Sequence, residues 1–176
     1  MNARFLTLAL VIAAATAGLS SCGGAPLSGP PELKLGRSEC AECNMLISED
    51  RCSCGLLVDD NGHREYLLYD DIGCMLDSER AGLDGRTVVE RYVHDHTSKA
   101  WVVADQAAFV MVDPKALPTP MGSGIVAFAS RANADAAAAK HAGKVLDYRA
   151  LGEARRLWME ERYGRPDGAS HPGRGG

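Results

Sequence analysis

The chain has no surplus of positive charge: 19 Lys and Arg face 23 Asp and Glu, for a formal net charge of −4. That balance lacks the electrostatic footprint of a protein that binds nucleic acid or adheres to an anionic surface. Long hydrophobic runs are missing too. The N-terminal run from Phe5 to Gly18, uncharged and largely apolar, falls short of the ~20 apolar residues that a membrane-spanning helix needs. Aromatic residues make up only 6% of the chain, yet 46% is apolar, enough for a core, so 176 residues suit one compact domain or two very small ones and exclude both a disordered chain and a large enzyme. Catalytic patterning is likewise absent. Ser123 stands in Gly-Ser-Gly and not in a Gly-x-Ser-x-Gly elbow, and no His and Asp partners accompany it. What the chain does have is sulfur, with six Cys and six Met. Soft sulfur at this density points to disulfides, metal or redox chemistry.

One of the cysteines belongs to the export signal. Arg4 precedes the uncharged run, which ends at Leu19-Ser20-Ser21-Cys22 and resembles the cleavage box of bacterial lipoproteins. Residues 1–21 are therefore expected to be a signal peptide, with Cys22 acylated as the first mature residue. Gly24 in place of an aspartate fits an outer-membrane address, which would leave the chain lipid-anchored and facing the periplasm. Residues 22–37, rich in Gly and Pro, read as a tether. Five cysteines remain in the mature chain, an odd number that excludes a complete internal disulfide framework.

The pattern beyond residue 37 predicts an α+β fold of two small ββαβ-like repeats packed together, with a C-terminal helix and flexible ends. In the first unit, residues 38–98, Gly55-Leu56-Leu57-Val58 and Tyr66-Leu67-Leu68-Tyr69 flank Asp59-Asp60-Asn61-Gly62, a strong hairpin signal. Asp70-Asp71 can cap a helix through Cys74 and Glu79 that ends near Gly82 or Gly85, before a strand over Thr87–Val93. The second unit, residues 99–163, offers strands at Ala100–Val103, Phe109–Val112 and Ile125–Ala129. A helix from Arg131 to Ala142 is capped by Ser130 and stopped by Gly143, and a strand follows over Lys144–Tyr148. Gly152–Tyr163 predicts an amphipathic helix with Ala154, Leu157 and Trp158 on one face. Residues 164–176, rich in Gly and Pro, read as a disordered tail.

The chemistry concentrates in Cys40-Ala41-Glu42-Cys43-Asn44-Met45. A Cys40–Cys43 disulfide suits an oxidising exported compartment. It could also serve a thiol-disulfide oxidoreductase, although the thioredoxin-like setting for such a pair is a βαβ context opening a helix. A structural zinc module needs a second ligand pair, for which Cys52-Ser53-Cys54 is poorly spaced. Copper(I) accounts for the methionine, since thiolate and thioether are soft donors. Met121, in Thr119-Pro120-Met121-Gly122, lies between a rigid and a flexible residue, outside any helical or strand stripe, and reads as a presented thioether. His94 and His96 alternate on a predicted strand and share a face, which makes them an auxiliary ligand pair, while a solvated strand end accommodates them equally well. Cys74 and Met75 open a predicted helix and read as buried packing more readily than as a second soft site.

Taken in order, Cys40 to Met45, Tyr69-Asp70-Asp71-Ile72-Gly73-Cys74-Met75, Tyr92-Val93-His94-Asp95, Trp101 and Thr119-Pro120-Met121-Gly122-Ser123-Gly124 resemble the NosL family of nitrous-oxide reductase accessory lipoproteins. The resemblance implies a copper(I) chaperone that is not an enzyme. It implies Cu(I) held by Cys43, Met45 and Met121, with Cys40, His94 and His96 as further candidates. The implied partners are nitrous-oxide reductase and its membrane ABC transporter machinery. Two departures stand out: Asn44 replaces the glycine usual between the second Cys and the Met, and Cys52-Ser53-Cys54 is not part of the family pattern. Asn tolerates the left-handed backbone better than most residues, so the loop can survive the first.

Overall fold

The computed structural model describes residues 26–164. The signal peptide, Cys22 and the expected tail beyond Gly164 lie outside the described residues. Strands β1 (Cys54–Asp60) and β2 (His63–Tyr69) form the predicted hairpin, closed by Asn61 and Gly62 at φ 53° and 92°. Both turn residues adopt the left-handed conformation that a tight two-residue hairpin demands, which Asn and Gly adopt most readily. The Gly62 N–H also donates to Asp59 Oδ1 over 2.7 Å.

Helix α1 (Ile72–Ala81) begins where expected, with Asp71 as N-cap, and ends on Gly82 at φ 95°. Its first turn buries Ile72, Met75 and Leu76, each contributing roughly 1.5–3 kcal/mol of burial. Strand β3 (Thr87–His94) then returns beside β1. The short strand β4 (Trp101–Val103), expected in the second unit, pairs with β3 instead, so the first sheet has the order β2-β1-β3-β4. The six residues Asp95–Ala100 turn the chain straight back, the Asp95 N–H donating to Ala100 O, and a nearby antiparallel partner is easier to reach than a distant sheet.

The second unit repeats the topology. Strands β5 (Ala108–Met111), β6 (Ile125–Phe128) and β7 (Lys144–Leu146) form a sheet of order β6-β5-β7, with α2 (Arg131–His141) between β6 and β7. In both units the first strand is central, flanked by the second and the third. Ser130 occupies the N-cap of α2 but makes no side-chain capping bond. The left-handed residue that ends α2 is Ala142 at φ 52°, not Gly143. Gly143 is required for another reason: a Cβ there would lie 2.4 Å from Val112 Cγ1.

Helix α3 (Tyr148–Tyr163) starts four residues earlier than the periodicity suggests, because Asp147 caps it by accepting from the Ala150 N–H over 2.7 Å. The strand before it is correspondingly short. The buried face of α3 is Leu151 and Arg155, while Leu157 is exposed. An arginine is tolerated inside because its Nη2 meets Asp77 Oδ2 at 2.7 Å and its guanidinium lies over the Trp158 ring. The two units share a core in which Cys40, Cys54, Tyr69, Ile72 and Met75 pack with Phe109, Ile125, Ala127 and Leu151. A single parallel bridge, Asp95 to Ala127, joins the sheets, and Asp95 Oδ1 accepts from the Ala129 N–H over 2.9 Å. Residues 27–31, expected within the tether, lie against the first hairpin: the Tyr66 hydroxyl donates to Gly29 O over 2.7 Å, and Pro31 is buried. No helix among the described residues is long and apolar enough to cross a membrane.

Candidate metal centre

The Cys-x-x-Cys-x-Met segment forms a miniature hairpin. Glu39 pairs with Leu46, the Cys40 N–H donates to Met45 O over 2.8 Å, and the Asn44 N–H donates back to Cys40 O over 2.8 Å. Asn44 takes φ 60°, the left-handed position that glycine would fill at no cost, so the substitution preserves the turn. The Ala41 N–H donates to Leu68 O over 2.8 Å, which docks the loop onto the end of β2. The next residues of the chain, Asp70 and Asp71, thereby come to lie beside it.

That docking assembles four potential donors. The sulfurs of Cys40, Cys43 and Cys74 and a carboxylate oxygen of Asp70 all lie within 4.8 Å of one another. A single ion with metal–sulfur bonds of ~2.3 Å can hold two thiolates up to roughly 4.6 Å apart, so the cluster is dimensioned for a metal. Cys40, Cys74 and Asp70 are buried, and Cys43 is partly exposed at the edge, 4.0 Å from both Asp70 oxygens. The five described cysteines are free thiols. The neighbouring Cys74 thiol holds Cys40 well below the usual range, and the Cys40 sulfur together with burial pushes Cys74 up. Burial, reinforced by the Cys40 sulfur, pushes the Asp70 carboxyl up to about 7. Burial also raises Cys43.

The two thioethers are set differently. Met45 is 54% exposed at the tip of the miniature hairpin and Met121 is 40% exposed. Met121 sits on the loop between β5 and β6, anchored to the first unit through Asp71. One Asp71 oxygen caps α1, accepting from the Gly73 N–H over 2.7 Å. The other accepts from the Thr119 hydroxyl over 2.7 Å and the Met121 N–H over 3.0 Å. Thr119 Oγ1 in turn accepts from the Ser123 and Gly124 N–H groups over 3.0 and 3.2 Å, which fixes the loop. Consecutive carboxylates at one strand-to-helix junction thus hold the thiol of one unit and the methionine loop of the other.

The structure places the remaining candidates elsewhere. His94 is buried, its Nδ1 2.9 Å from Ser53 Oγ and its ring stacked on Trp101 with centroids 3.6 Å apart. His96 packs edge-on against Phe128 and its Nδ1 is buried without a partner. Burial lowers the pKa of both rings. Cys52 and Cys54 are fully buried in different core clusters, and burial pushes Cys52 up to about 12. The cysteine read as packing, Cys74, is packed and also belongs to the thiol cluster. Asp70, read only as part of a helix cap, belongs there too. A thiol in the first turn of a helix, where the dipole favours a thiolate, is the sequence signal that could have singled out Cys74.

Three thiols and a carboxylate within 4.8 Å of one another are a donor set suited to a thiophilic metal ion. The comparisons with known proteins name the family: the NosL profile matches residues 33–155, and the chain belongs to the NosL family. Its fold is similar to the crystal structure of the copper chaperone NosL from Shewanella denitrificans, with a TM-score of 0.58 and 22% identity over 70% of this chain and 96% of that one. No curated protein matches.

Proposed function

We propose that this protein is an exported lipoprotein, anchored through Cys22 in the outer membrane, that carries Cu(I) in the periplasm and delivers it for assembly of nitrous-oxide reductase alongside its ABC transporter machinery. Cys43, Met45 and Met121 hold the cargo. The observation that carries the reading is the cluster of Cys40, Cys43, Cys74 and Asp70 with the partly exposed Cys43 at its edge, next to Asp71, which holds the backbone of the loop bearing the exposed Met121. Cys43 binds as a thiolate, with its proton displaced by the metal, and the thioethers add neutral soft donors that a partner's ligands can replace one at a time. The copper chaperone from Shewanella denitrificans, which shares the fold, supports the choice of cargo.

The oxidoreductase reading is disfavoured because the Cys40–Cys43 pair lies on a hairpin and does not open a helix. A zinc reading has one observation in its favour: Cys40, Cys43, Cys74 and Asp70 together number the four ligands of a tetrahedral Zn(II) site. Anaerobic titration of the reduced mature protein against a chromogenic Cu(I) chelator tests the proposal. Competitive Cu(I) binding is expected, weakened by Met121→Ala and more strongly by Cys43→Ser. Failure to compete, or preferential retention of Zn(II), refutes it, and a larger loss in Cys40→Ser than in Cys43→Ser would reverse the assignment within the pair.

A further inference from the structure

Residues 27–31 do not hang free of the domain. Arg64 Nη1 donates to Leu27 O over 3.1 Å, and the Tyr66 hydroxyl donates to Gly29 O over 2.7 Å. Both bonds join residues 37 apart in sequence, so the segment runs alongside β2 in the same direction and in step with it. The Tyr92 hydroxyl of β3 also meets the Gly29 backbone. Pro31 is buried, and it shares the space over Gly55 of β1 with Leu68: a Cβ on Gly55 would lie 3.0 Å from Pro31 Cγ and 3.3 Å from Leu68 Cδ2. Pro30 and Pro31 stiffen the segment, so docking it loses little chain entropy. Leu27 therefore lies by the closed end of the hairpin. Pro31 lies towards the other end, where Ala41 docks on Leu68 and Asp70 joins the thiol cluster. From Arg64 to Asp70, at ~3.3 Å per residue, the two ends stand roughly 20 Å apart.

Resting on the reading of Cys22 as the lipid anchor, we propose that residues 27–31 are an orienting strap, which makes the hairpin turn Asp59–Arg64 the membrane-facing end of the protein and turns the copper site away from the bilayer. What that end meets is the headgroup layer of the bilayer that holds the Cys22 acyl chains. Chain length sets the arrangement. Leu27 is five residues beyond Cys22, a span of at most ~18 Å. Were the chain free as far as Cys40, the anchor would be 18 residues away, with a reach of roughly 60 Å that would let any face of the domain approach the bilayer. Adhesion has no part in it. Asp59 and Asp60 outnumber Arg64 at the turn, so the tether brings it to the headgroups and attraction to anionic lipid does not. A copper acceptor in the periplasm then meets Cys43 on the open end of the molecule.

The test is energy transfer in the full mature acylated protein, reconstituted in phosphatidylcholine vesicles that carry acceptor-labelled headgroups. A fluorescent amino acid replaces His63, exposed at the hairpin turn, or Ala41, exposed at the copper end, which leaves the native thiols untouched. Transfer from position 63 is expected to be at least twofold that from position 41, and insertion of ten Gly and Ser residues after Gly24 should bring the two together. Equal transfer without the insertion, or stronger transfer from position 41, overturns the proposal. So does a difference that survives the insertion, since the turn would then be adhering by itself. The triple variant Pro31→Ser/Arg64→Ala/Tyr66→Phe, which removes the buried ring and both hydrogen bonds, should narrow the difference by releasing the strap, and an unchanged difference refutes the strap's role. Should that variant fail to fold, the insertion, which precedes the described residues, decides alone. A Cys22 found unacylated by mass spectrometry refutes the anchored-lipoprotein reading itself, whereas the other outcomes leave it standing.

Discussion

Asp71→Asn is expected to loosen Met121 without removing it. The native side chain is fully buried and accepts three hydrogen bonds, from the Gly73 N–H, the Thr119 hydroxyl and the Met121 N–H. An amide has one acceptor oxygen. If that oxygen keeps the α1 cap, the NH2 group faces Thr119 Oγ1 and the Met121 N–H, and the latter loses its acceptor. Thr119 Oγ1 already accepts from two backbone N–H groups, so it offers little to a new donor. Hydrogen bonds to a charged acceptor are worth ~1.5–3 kcal/mol each, so the variant should lose about 3 kcal/mol. For a chain of this size that corresponds to a fall in Tm of roughly 6–12 °C, read by circular dichroism.

The copper readout separates positioning from mere stability. A loop no longer held must be ordered again on binding, at about 1–2 kcal/mol for a residue, or roughly tenfold in Cu(I) affinity. Thr119→Val, which leaves the Met121 N–H bonded to Asp71, should weaken copper less. In a Met121→Ala background, Asp71→Asn should cost no further affinity, since the thioether it positions is gone. The reasoning fails if Asp71→Asn weakens copper equally with and without Met121, or lowers Tm while leaving native copper affinity unchanged.

Two glycines beside the site are expected to differ in urea unfolding. Gly73→Ala would put a Cβ 2.6 Å from Ser123 Cβ, and a shift of the loop can relieve it at about 1–3 kcal/mol. Gly124→Ala combines φ +67° with a Cβ 2.3 Å from the Val112 carbonyl oxygen, a backbone atom just past the end of β5, and should cost more. Arg155→Met should lose about 2 kcal/mol, less than a fully broken buried pair, because Asp77 keeps Arg80 at 3.1 Å while the methionine fills the stem's volume. Burial lowers the folded-state pKa of His94 and His96, so below pH ~6.5 the unfolded chain binds more protons than the folded one. Stability should be level above that pH with respect to these rings and decline as pH falls below it. The slope should be shallower in His96→Leu, which also removes a buried nitrogen without a partner. An unchanged slope would place the acid-sensitive group elsewhere.

The hairpin, helices α1 and α2 and the strand-strand-helix-strand order of each unit could be read from turn residues, caps and periodicity because these signals are local. Asn61-Gly62, Asp71 and Gly82 each dictate backbone geometry where they stand. What escaped was decided by tertiary contact. Trp101 joined the first sheet because β3 was the nearest free edge. Gly143 was spared a side chain by Val112, and α3 buried Arg155 in preference to Leu157 because Asp77 waited inside. The same distinction holds at the site. Cys43, Met45 and Met121 stand out in the sequence by spacing, loop context and family resemblance, whereas Asp70 and Cys74 join the thiol cluster only once Ala41 docks on Leu68 and brings the β2–α1 junction beside it.

The position of the site follows from how the repeats differ. Both units run strand, strand, helix, strand with the first strand central, but the first closes its hairpin with Asn61 and Gly62 while the second spends residues 112–124 on the same connection. A two-residue turn can present nothing. The longer connection reaches across to the N-cap of α1, where Asp71 accepts its Met121 N–H, and so ties the methionine loop of one repeat to the residue that follows Asp70 of the thiol cluster in the other. A duplicated scaffold thus yields one asymmetric site, because only one copy of the loop is long enough and only one copy of the helix begins with two carboxylates. Shortening residues 112–124 to a tight turn should preserve the β6-β5-β7 order, since those strand pairs do not depend on it, and abolish the contribution of the second repeat to copper binding.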